Sequence, residues 1–400
     1  MENNKVQFCM PYNNDINFID IICDKYSKNV SSLYGSFNND GFGGGRALSS
    51  KAEFTIHSIA PVISKLSNHN INFNYVINNT NLLNREYDKT YQKVLFNFLQ
   101  CLQENGVTMI TLSNIYFIKI VKRVFPKLKI SASVNLKIRS LEEFKFVMDL
   151  GIDEATLHYD ILKDYKTLVD IKKNSAHIDL KLIPNDIYIM DCPWQKSHTR
   201  MQGAHGRNKI VKTPYFSYYR NKCVNIRHYK ADEILKAMWI PPTGLENYID
   251  IGYTHFKLLD RLATTNWNIK CLDAYIKQAP VANFEEIAGT YGDICTNKVP
   301  AEYHPKDDEI YPRSKLEIIP KIDSSKGSSV ESQKYYISPQ HPNSCAGCDI
   351  CKNVTKEIIF FDSKKRLQAI KNNKKWQNYI TKREFIERLN GDYEQHIKYQ

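Results

Sequence analysis

The 400 residues are enough for one large domain with a smaller appendage, since domains commonly hold about 100–200 residues. Hydrophobic residues make up 42% of the chain and charged residues 24%, which excludes a fibrous or wholly disordered protein. The formal net charge of +12 is compatible with RNA, with small anionic substrates, or with lysines that merely lie on solvated faces.

The N-terminal residues and the cysteine content favour a cytoplasmic protein without a membrane partner. The first residues lack the basic-then-apolar order of a secretory signal, and no run of about 18 apolar residues occurs. The ten cysteines of such a chain are expected to be reduced thiols or metal ligands rather than disulfides.

Short apolar or β-branched runs alternate with segments of helical periodicity, which is typical of a parallel sheet covered by helices. The sequence predicts eight strands. They lie at 6–10, 32–34, 72–77, 107–112, 129–133, 154–158, 178–183 and 254–258. Eight strands close a barrel. We therefore predict an α/β fold, a (β/α)8 TIM-like barrel.

Three regions are predicted along the chain. Residues 1–290 form the barrel and include a long insertion at 185–250, after strand 7; connections of that length usually carry structure or function. Residues 291–344 form an extension that contains a Ser- and Lys-rich linker at 321–330. Residues 345–400 form a small cysteine-bearing region with a basic helical tail.

The basic tail has an aromatic and apolar stripe at helical spacing. This stripe predicts a face packed on the barrel rather than a surface for nucleic acid. Its members are Trp376, Tyr379, Phe385 and Leu389.

The strongest chemical signal is Cys345-Ala-Gly-Cys348-Asp-Ile-Cys351, which places three thiols at three-residue spacing. Three such cysteines with a remote fourth resemble a ferredoxin arrangement, so we predict an iron–sulfur cluster of the [4Fe–4S] type. The remote metal ligand is Cys192, which precedes Pro193, or Cys223. A structural zinc knuckle in the tail is the alternative.

Polar residues at the ends of the predicted strands mark a candidate site, because active sites of such barrels lie at the carboxyl ends of the strands. The candidate substrate-binding residues include a glycine-rich loop that can approach an anion closely. They are Tyr34, Gly44, Gly45, Arg46, Asn78 and Arg261. The candidate catalytic residues are His158, Asn185, Asp186 and Lys257. Structural alternatives are a hydrogen-bonded core residue for His158 and one half of a barrel ion pair for Lys257.

From about Gln7 to Gln278 the chain resembles the U32 family of collagenase-like peptidases and its relatives. The stretches that carry the resemblance are Leu33-Tyr34-Gly35, Gly43-Gly44-Gly45-Arg46, Phe73-Asn74-Tyr75-Val76-Ile77-Asn78, Asn185-Asp186, Cys192-Pro193, Trp239-Ile240-Pro241-Pro242 and His255-Phe256-Lys257-Leu258-Leu259-Asp260-Arg261. In the branch that it looks most like, an Asn-Glu-x-Cys element precedes Cys-Pro, whereas Tyr188 occupies that cysteine position here.

The resemblance implies two kinds of activity. The family was named for proteolysis, while relatives are iron–sulfur proteins of oxygen-independent hydroxylation that act on ribosomal RNA, transfer RNA or a quinone precursor, with prephenate as the oxygen source. The departure at Tyr188 implies either a cluster completed by the C-terminal cysteines or a cluster with an open iron site. A peptidase would need a catalytic set, and the chain has neither a His-Glu-x-x-His motif nor a convincing nucleophile loop.

Our leading hypothesis is an iron–sulfur-dependent modification enzyme, a hydroxylase that acts on RNA or an anionic small metabolite. A prephenate-like anion is its expected small-molecule partner, and an electron donor its expected redox partner. The alternatives are a U32-type peptidase and a non-enzymatic RNA-binding or scaffold protein with a structural metal knuckle.

Overall fold

The computed structural model describes residues 6–37, 40–44, 56–205, 218–237, 239–281, 286–288, 321–322, 345 and 347–383. The strands of its main sheet are β1 (Gln7–Pro11), β2 (Val30–Gly35), β3 (Asn72–Ile77), β4 (Met109–Leu112), β5 (Lys129–Ala132), β6 (Glu154–Thr156), β7 (Asp179–Leu182) and β8 (His255–Lys257). Each strand pairs in parallel with its neighbour in the chain, and β8 pairs with β1, so the sheet is a closed barrel. The predicted eight-stranded barrel is confirmed, with every strand end within two residues of its predicted place.

The helices that cover the barrel are α1 (Ile16–Tyr26), α2 (Ile56–Ser67), α3 (Lys89–Glu104), α4 (Ile115–Val124), α5 (Leu141–Met148), α6 (Tyr165–Lys173) and, after β8, α11 (Thr265–Lys277). Their local signals are those expected of amphipathic helices. In α5, the Ser140 hydroxyl accepts a hydrogen bond from the Glu143 amide at 3.1 Å and so caps the first turn. Gly151, at φ +82°, turns the chain toward β6 in a conformation that favours glycine.

The large apolar core lies between the strands and the surrounding helices. The side chains of α3 that face the strands recur at helical spacing, and all are buried: Tyr91, Leu95, Leu99 and Leu102. Burying this stripe stabilises the helix far more than its intrinsic propensity does. None of the helices in the part of the chain that the structure describes is long and apolar enough to cross a membrane.

The long connection between β7 and β8 carries its own helices, as predicted: α7 (Gln195–His205), α8 (Tyr218–Tyr229), α9 (Asp232–Lys236) and α10 (Glu246–Ile251). It is anchored to the barrel loops by Asn79, whose side-chain amide donates to the Gly203 carbonyl at 3.1 Å. A Cβ at Gly203 would lie 2.5 Å from the Asn79 side-chain oxygen, so the close approach of α7 requires glycine there.

The tail contains α12 (Ile350–Ile358), β10 (Ile359–Phe360) and α13 (Ser363–Tyr379). Strand β10 pairs in antiparallel fashion with β9 (Lys321–Ile322), so the predicted linker begins as a short strand; residues 323–330 lie outside the described residues. Helix α12 packs on α9 and α13 packs on α8. The Arg366 guanidinium donates to the His228 carbonyl at 2.6 Å.

In the described part of the aromatic stripe, Trp376 is buried and Tyr379 is half-buried, and the helix that carries them contacts an insertion helix rather than the barrel wall. Trp376 is 1% exposed on α13, which contacts α8. Phe385 and Leu389 lie outside the described residues.

Candidate active site

The interior of the barrel is polar. Side chains at alternate positions of a strand share one face, so one set from each strand points inward. This inward set contains one buried thiol, that of Cys9, and eight buried polar or charged side chains. These are Ser32, Asn74, Thr111, Ser131, Glu154, Thr156, Lys181 and Lys257. Bulky branched residues usually fill such interiors. Because buried polar groups cost free energy unless they are paired, this lining points to function rather than to stability.

A buried ion pair forms the lower part of the interior. The Lys181 ammonium lies 2.6 Å from the Glu154 carboxylate, and both side chains are less than a tenth exposed. The Ser131 hydroxyl donates to the same carboxylate at 2.6 Å. Burial alone would raise the pKa of Glu154, but the adjacent Lys181 ammonium holds it below its usual value. Burial opposes the charged form of Lys181 too, yet Cys9 and Glu154 raise its pKa.

Lys257 lies at the carboxyl end of β8 without an ion-pair partner among the described residues. It is 8% exposed, and its ammonium nitrogen lies 4.1 Å from the centroid of the Tyr34 ring. Strand pairing sets it beside Cys9 of β1. Burial lowers the pKa of Lys257 to about 8, with Lys181 and Arg261 acting in the same direction and Cys9 and Glu154 opposing them. Among the described residues, Lys257 is therefore not half of an ion pair, which was the structural alternative for it. The lysine of the barrel's buried ion pair is Lys181.

The loop after β2 is held by Arg261 and Asp40. The Arg261 guanidinium donates to the Ser36 hydroxyl at 2.8 Å and to the Gly44 carbonyl at 2.7 Å. Asp40 accepts hydrogen bonds from the amides of the loop and from the Tyr75 hydroxyl at 2.8 Å. A Cβ at Gly44 would lie 2.2 Å from the Ser36 hydroxyl, so this contact requires glycine.

The predicted Gly45 and Arg46 lie outside the described residues. Arg261 and Tyr34 do come together, since the guanidinium carbon lies 6.0 Å from the centroid of the ring. The Tyr34 hydroxyl donates to the Leu258 carbonyl at 2.8 Å, which fixes the ring across the mouth of the barrel.

Asn185 connects the ends of β7 and β8. Its side-chain amide donates to the Leu259 carbonyl at 2.6 Å, and its side-chain oxygen accepts from the Leu259 amide at 2.8 Å. Asp186 is 7% exposed and accepts from the Ile187 amide at 2.9 Å. Asn185 therefore acts as a positioning residue for the loop that carries Arg261.

His158 belongs to a separate polar group at the rim. Its ring nitrogens lie 3.2 Å from the Asp160 carboxylate and 3.2 Å from the Gln195 amide nitrogen. Gln195 also accepts from the Lys137 ammonium at 2.6 Å and contacts the Tyr159 hydroxyl. This network links the rim of the barrel to α7 and supports the reading of His158 as a hydrogen-bonded residue.

Two further groups on the inner face have unused hydrogen-bonding capacity. Asn78 donates to the Ser133 hydroxyl at 3.2 Å, but its side-chain oxygen is buried without a partner in the described part of the chain. The Thr156 hydroxyl is likewise buried and unpartnered there. A bound polar ligand would satisfy such atoms, whose desolvation otherwise goes uncompensated.

The five predicted metal ligands fall into a pair and a triplet. Cys192 and Cys223 share a hydrogen bond, which lowers the pKa of Cys192 to about 7 and raises that of Cys223. Cys345, Cys348 and Cys351 interact electrostatically with one another. Met190 connects the two sets, since its sulfur lies 3.6 Å from the Cys345 thiol.

The thiols suit a metal centre in chemistry but not in arrangement. Thiolates are the ligands of iron–sulfur clusters and of structural zinc. Across residues 6–383, where they are described, no three His, Cys, Asp or Glu side chains are grouped closely enough to hold a metal ion. The structure therefore contains no preformed four-thiolate site in its described part, and we assign no reaction step to a cluster.

Sequence reasoning singled out Lys257, Tyr34, Asn78 and Arg261, which the barrel brings to one mouth. It missed Glu154, Thr156, Lys181 and Cys9. The available signal was alternation: in β6 and β7 the polar side chains recur at every second residue within apolar runs. That pattern indicates a polar face turned inward when both faces of a strand are covered.

Comparisons with known proteins point to one family. Residues 30–181 match the model of peptidase family U32. An uncharacterized protease of Methanocaldococcus jannaschii is 26% identical over 278 residues, an alignment that covers 68% of this chain and 80% of the relative.

Two solved structures are similar to part of the chain. A U32 peptidase matches with a TM-score of 0.48 at 11% identity, over 65% of this chain and 95% of that one. The citrate synthase SbnG matches with a TM-score of 0.29 at 10% identity, over 46% of this chain and 79% of that one. Neither likeness is close enough to bear on function. The family match and the archaeal relative agree with the residues that carry the resemblance, and residues 30–181 of the chain are similar to peptidase family U32.

Proposed function

We propose that the chain is an enzyme that binds a small anionic metabolite in the mouth of its barrel. The observation that supports this proposal most strongly is the buried Lys257 ammonium, which has no carboxylate or hydrogen-bond acceptor among the described residues. A lone buried charge is costly, so a barrel selected only for stability would not keep it.

The charges around Tyr34 favour an anionic ligand. Lys257 and Arg261 both approach the ring, at 4.1 Å and 6.0 Å from its centroid. The carboxylate that acts on Lys257 is Glu154, and Lys181 already neutralises it at 2.6 Å. A ligand carboxylate or phosphate would offset the remaining positive charge and gain charge-assisted hydrogen bonds.

Titration calorimetry with pyruvate, citrate and inorganic phosphate tests this proposal. At least one of these anions should bind the purified protein, and Lys257→Met should weaken its affinity by about tenfold or more, since a buried charge-assisted contact exceeds ~1.4 kcal/mol. Lys163→Met is the matched control, because Lys163 is a buried lysine outside the barrel interior. Equal affinities for the wild type and Lys257→Met would contradict the proposal.

An iron–sulfur hydroxylase, as the family resemblance implies, is our finer proposal for the reaction. The thiol pair and triplet support it by donor type, and Met190 brings the Cys345 loop next to the Cys192 segment. The same proposal includes RNA or the metabolite itself as acceptor, a protein electron donor, and the reducing cytosol as the place of action.

Metal analysis of protein purified without oxygen tests the cofactor. Iron and sulfide in equal amounts, with broad thiolate-to-iron absorption that is lost in Cys192→Ser and Cys345→Ser, would support a cluster held across both sets of thiols. Zinc without iron would contradict it. Cleavage of an unfolded protein substrate, retained after the metal is removed, would instead favour a peptidase.

A further inference from the structure

Three lysines are buried in the described residues, and they differ in what their ammonium groups contact. Lys181 is paired with the Glu154 carboxylate at 2.6 Å. Lys163 donates to the main-chain carbonyls of Leu235 and, at 3.1 Å, Ala237. Lys257 faces the Tyr34 ring and has no oxygen acceptor in the described part of the chain. Its ammonium is therefore the one of the three that no oxygen atom of the described residues holds in place.

Lys257 also has the position of a reactive group. It is the last residue of β8, so its side chain lies inside the barrel at the end where active sites of this fold are found. Burial lowers its pKa to about 8. At pH 7 its neutral fraction is then roughly 300-fold larger than that of a lysine with the ordinary value near 10.5.

We propose that Lys257 forms an imine with the carbonyl carbon of an aldehyde or 2-oxo acid bound in the mouth of the barrel. This inference rests on the proposed function and narrows its substrate to an anion that carries a carbonyl group. A lysine desolvated in an apolar or cationic setting is the usual nucleophile for this chemistry.

The step balances without an external oxidant or reductant. The neutral amine of Lys257 adds its lone pair to the carbonyl carbon, and the oxygen takes up a proton to give a carbinolamine. In forming the carbinolamine the nitrogen gives up one of its two protons, and it then loses the second as the hydroxyl group takes up a proton and leaves as water. One carbon–nitrogen double bond replaces one carbon–oxygen double bond. Arg261, whose guanidinium carbon lies 6.0 Å from the centroid of the same Tyr34 ring, is the residue that would pair with the carboxylate of a 2-oxo acid.

Reductive trapping in the full chain tests the proposal. The protein is incubated with glyoxylate, pyruvate or 2-oxoglutarate and sodium cyanoborohydride, digested, and mapped by mass spectrometry. We expect the adduct on Lys257 to exceed that on exposed lysines such as Lys364 by on the order of 100-fold, because the lowered pKa of Lys257 raises its neutral fraction. Labelling should rise between pH 6 and pH 8 and then level off.

Lys163 in the same digest is an internal control, because it is buried and its pKa is also lowered to about 8 by burial, while its ammonium is held by carbonyl groups. We expect little adduct on Lys163. Lys257→Arg, which keeps the positive charge, should lose the adduct but retain binding of the oxo acid. Protein labelled after denaturation should show no preference for Lys257.

Two outcomes would overturn the inference, and they have different meanings. If a 2-oxo acid binds in a manner that depends on Lys257 but no adduct forms there, imine formation is wrong while the proposed anion-binding function stands. If neither binding nor adduct depends on Lys257, both fail. An adduct spread over the exposed lysines, unchanged in Lys257→Arg, counts as no adduct on Lys257, and the binding measurement then decides between the two outcomes.

Discussion

Lys257 in the barrel and Lys163 at the junction with the insertion are alike in burial and differ in their surroundings. Both are less than a tenth exposed, and burial lowers the pKa of each to about 8. Lys163 donates to main-chain carbonyls at the C-terminal end of α9. A cation at this position stabilises a helix, because the carbonyl end of a helix carries a partial negative charge. In the described part of the chain, Lys257 faces the Tyr34 ring and lies beside Cys9, with no oxygen acceptor. The first lysine connects two parts of the fold, whereas we propose that the second is kept to bind a ligand.

The largest effect on stability is expected when Lys181 loses its carboxylate partner and so becomes an unpaired buried lysine like Lys257. Glu154→Gln removes the carboxylate from Lys181 and leaves its buried charge uncompensated. We expect a loss of about 3–5 kcal/mol in the free energy of unfolding, the usual result of breaking a buried pair from one side. Urea unfolding measures it. The double variant Glu154→Gln with Lys181→Met should recover most of the loss; no recovery would show that the pair is not the cause.

Replacing Lys257 and replacing Lys163 should change the free energy of unfolding in opposite directions. Lys257→Met removes a desolvated charge and keeps the volume, so we expect the free energy of unfolding to rise by about 2 kcal/mol at pH 7, less than the full cost of a shift of this size. Lys163→Met leaves the Leu235 and Ala237 carbonyls without their donor and should lower stability by about 1–2 kcal/mol. Thermal unfolding of both variants checks this, and a destabilised Lys257→Met would contradict a functional origin for its burial.

A smaller effect is expected at the loop that Arg261 holds. In Gly44→Ala the new methyl group would lie 2.2 Å from the Ser36 hydroxyl and 2.9 Å from the Arg261 guanidinium, so that side chain must move. We expect anion affinity to fall about tenfold, or ~1.4 kcal/mol, with the fold intact. Calorimetry with the anion that binds the wild type measures the change. Gly41→Ala is the control, because a Cβ there meets nothing within 4 Å, although its φ of +78° adds backbone strain.

The smallest effect is the pH dependence of stability. The folded pKa of Lys257 is lowered to about 8 from 10.5, so between these values the unfolded chain binds more protons than the folded one. Stability should therefore gain about 1 kcal/mol per pH unit from this group as pH rises above 8, with no contribution to the slope well below pH 8. The difference in unfolding free energy between the wild type and Lys257→Met, measured at pH 8 and pH 9, isolates it. A constant difference would mean that Lys257 titrates normally.

The sequence predicted the barrel well because its strands are short apolar runs bounded by helix caps and glycines, signals that act within a few residues. Lys257 and Arg261 were found by the same logic, since they follow the last such run. Which lysine pairs with Glu154 was not predictable, because no rule of sequence spacing assigns this carboxylate to Lys181 rather than to Lys257. The separation of the cysteines into a pair and a triplet likewise depends on how the tail packs on α8 and α9.

The two hydrogen bonds between Asn185 and Leu259 have a mechanical consequence. The insertion leaves the barrel directly after Asn185, while Arg261 lies two residues beyond Leu259. If the first residues of the insertion move relative to the barrel, either the Arg261 segment must move with them or both hydrogen bonds must break. A single amide side chain thus couples the position of the insertion to the position of the Arg261 guanidinium.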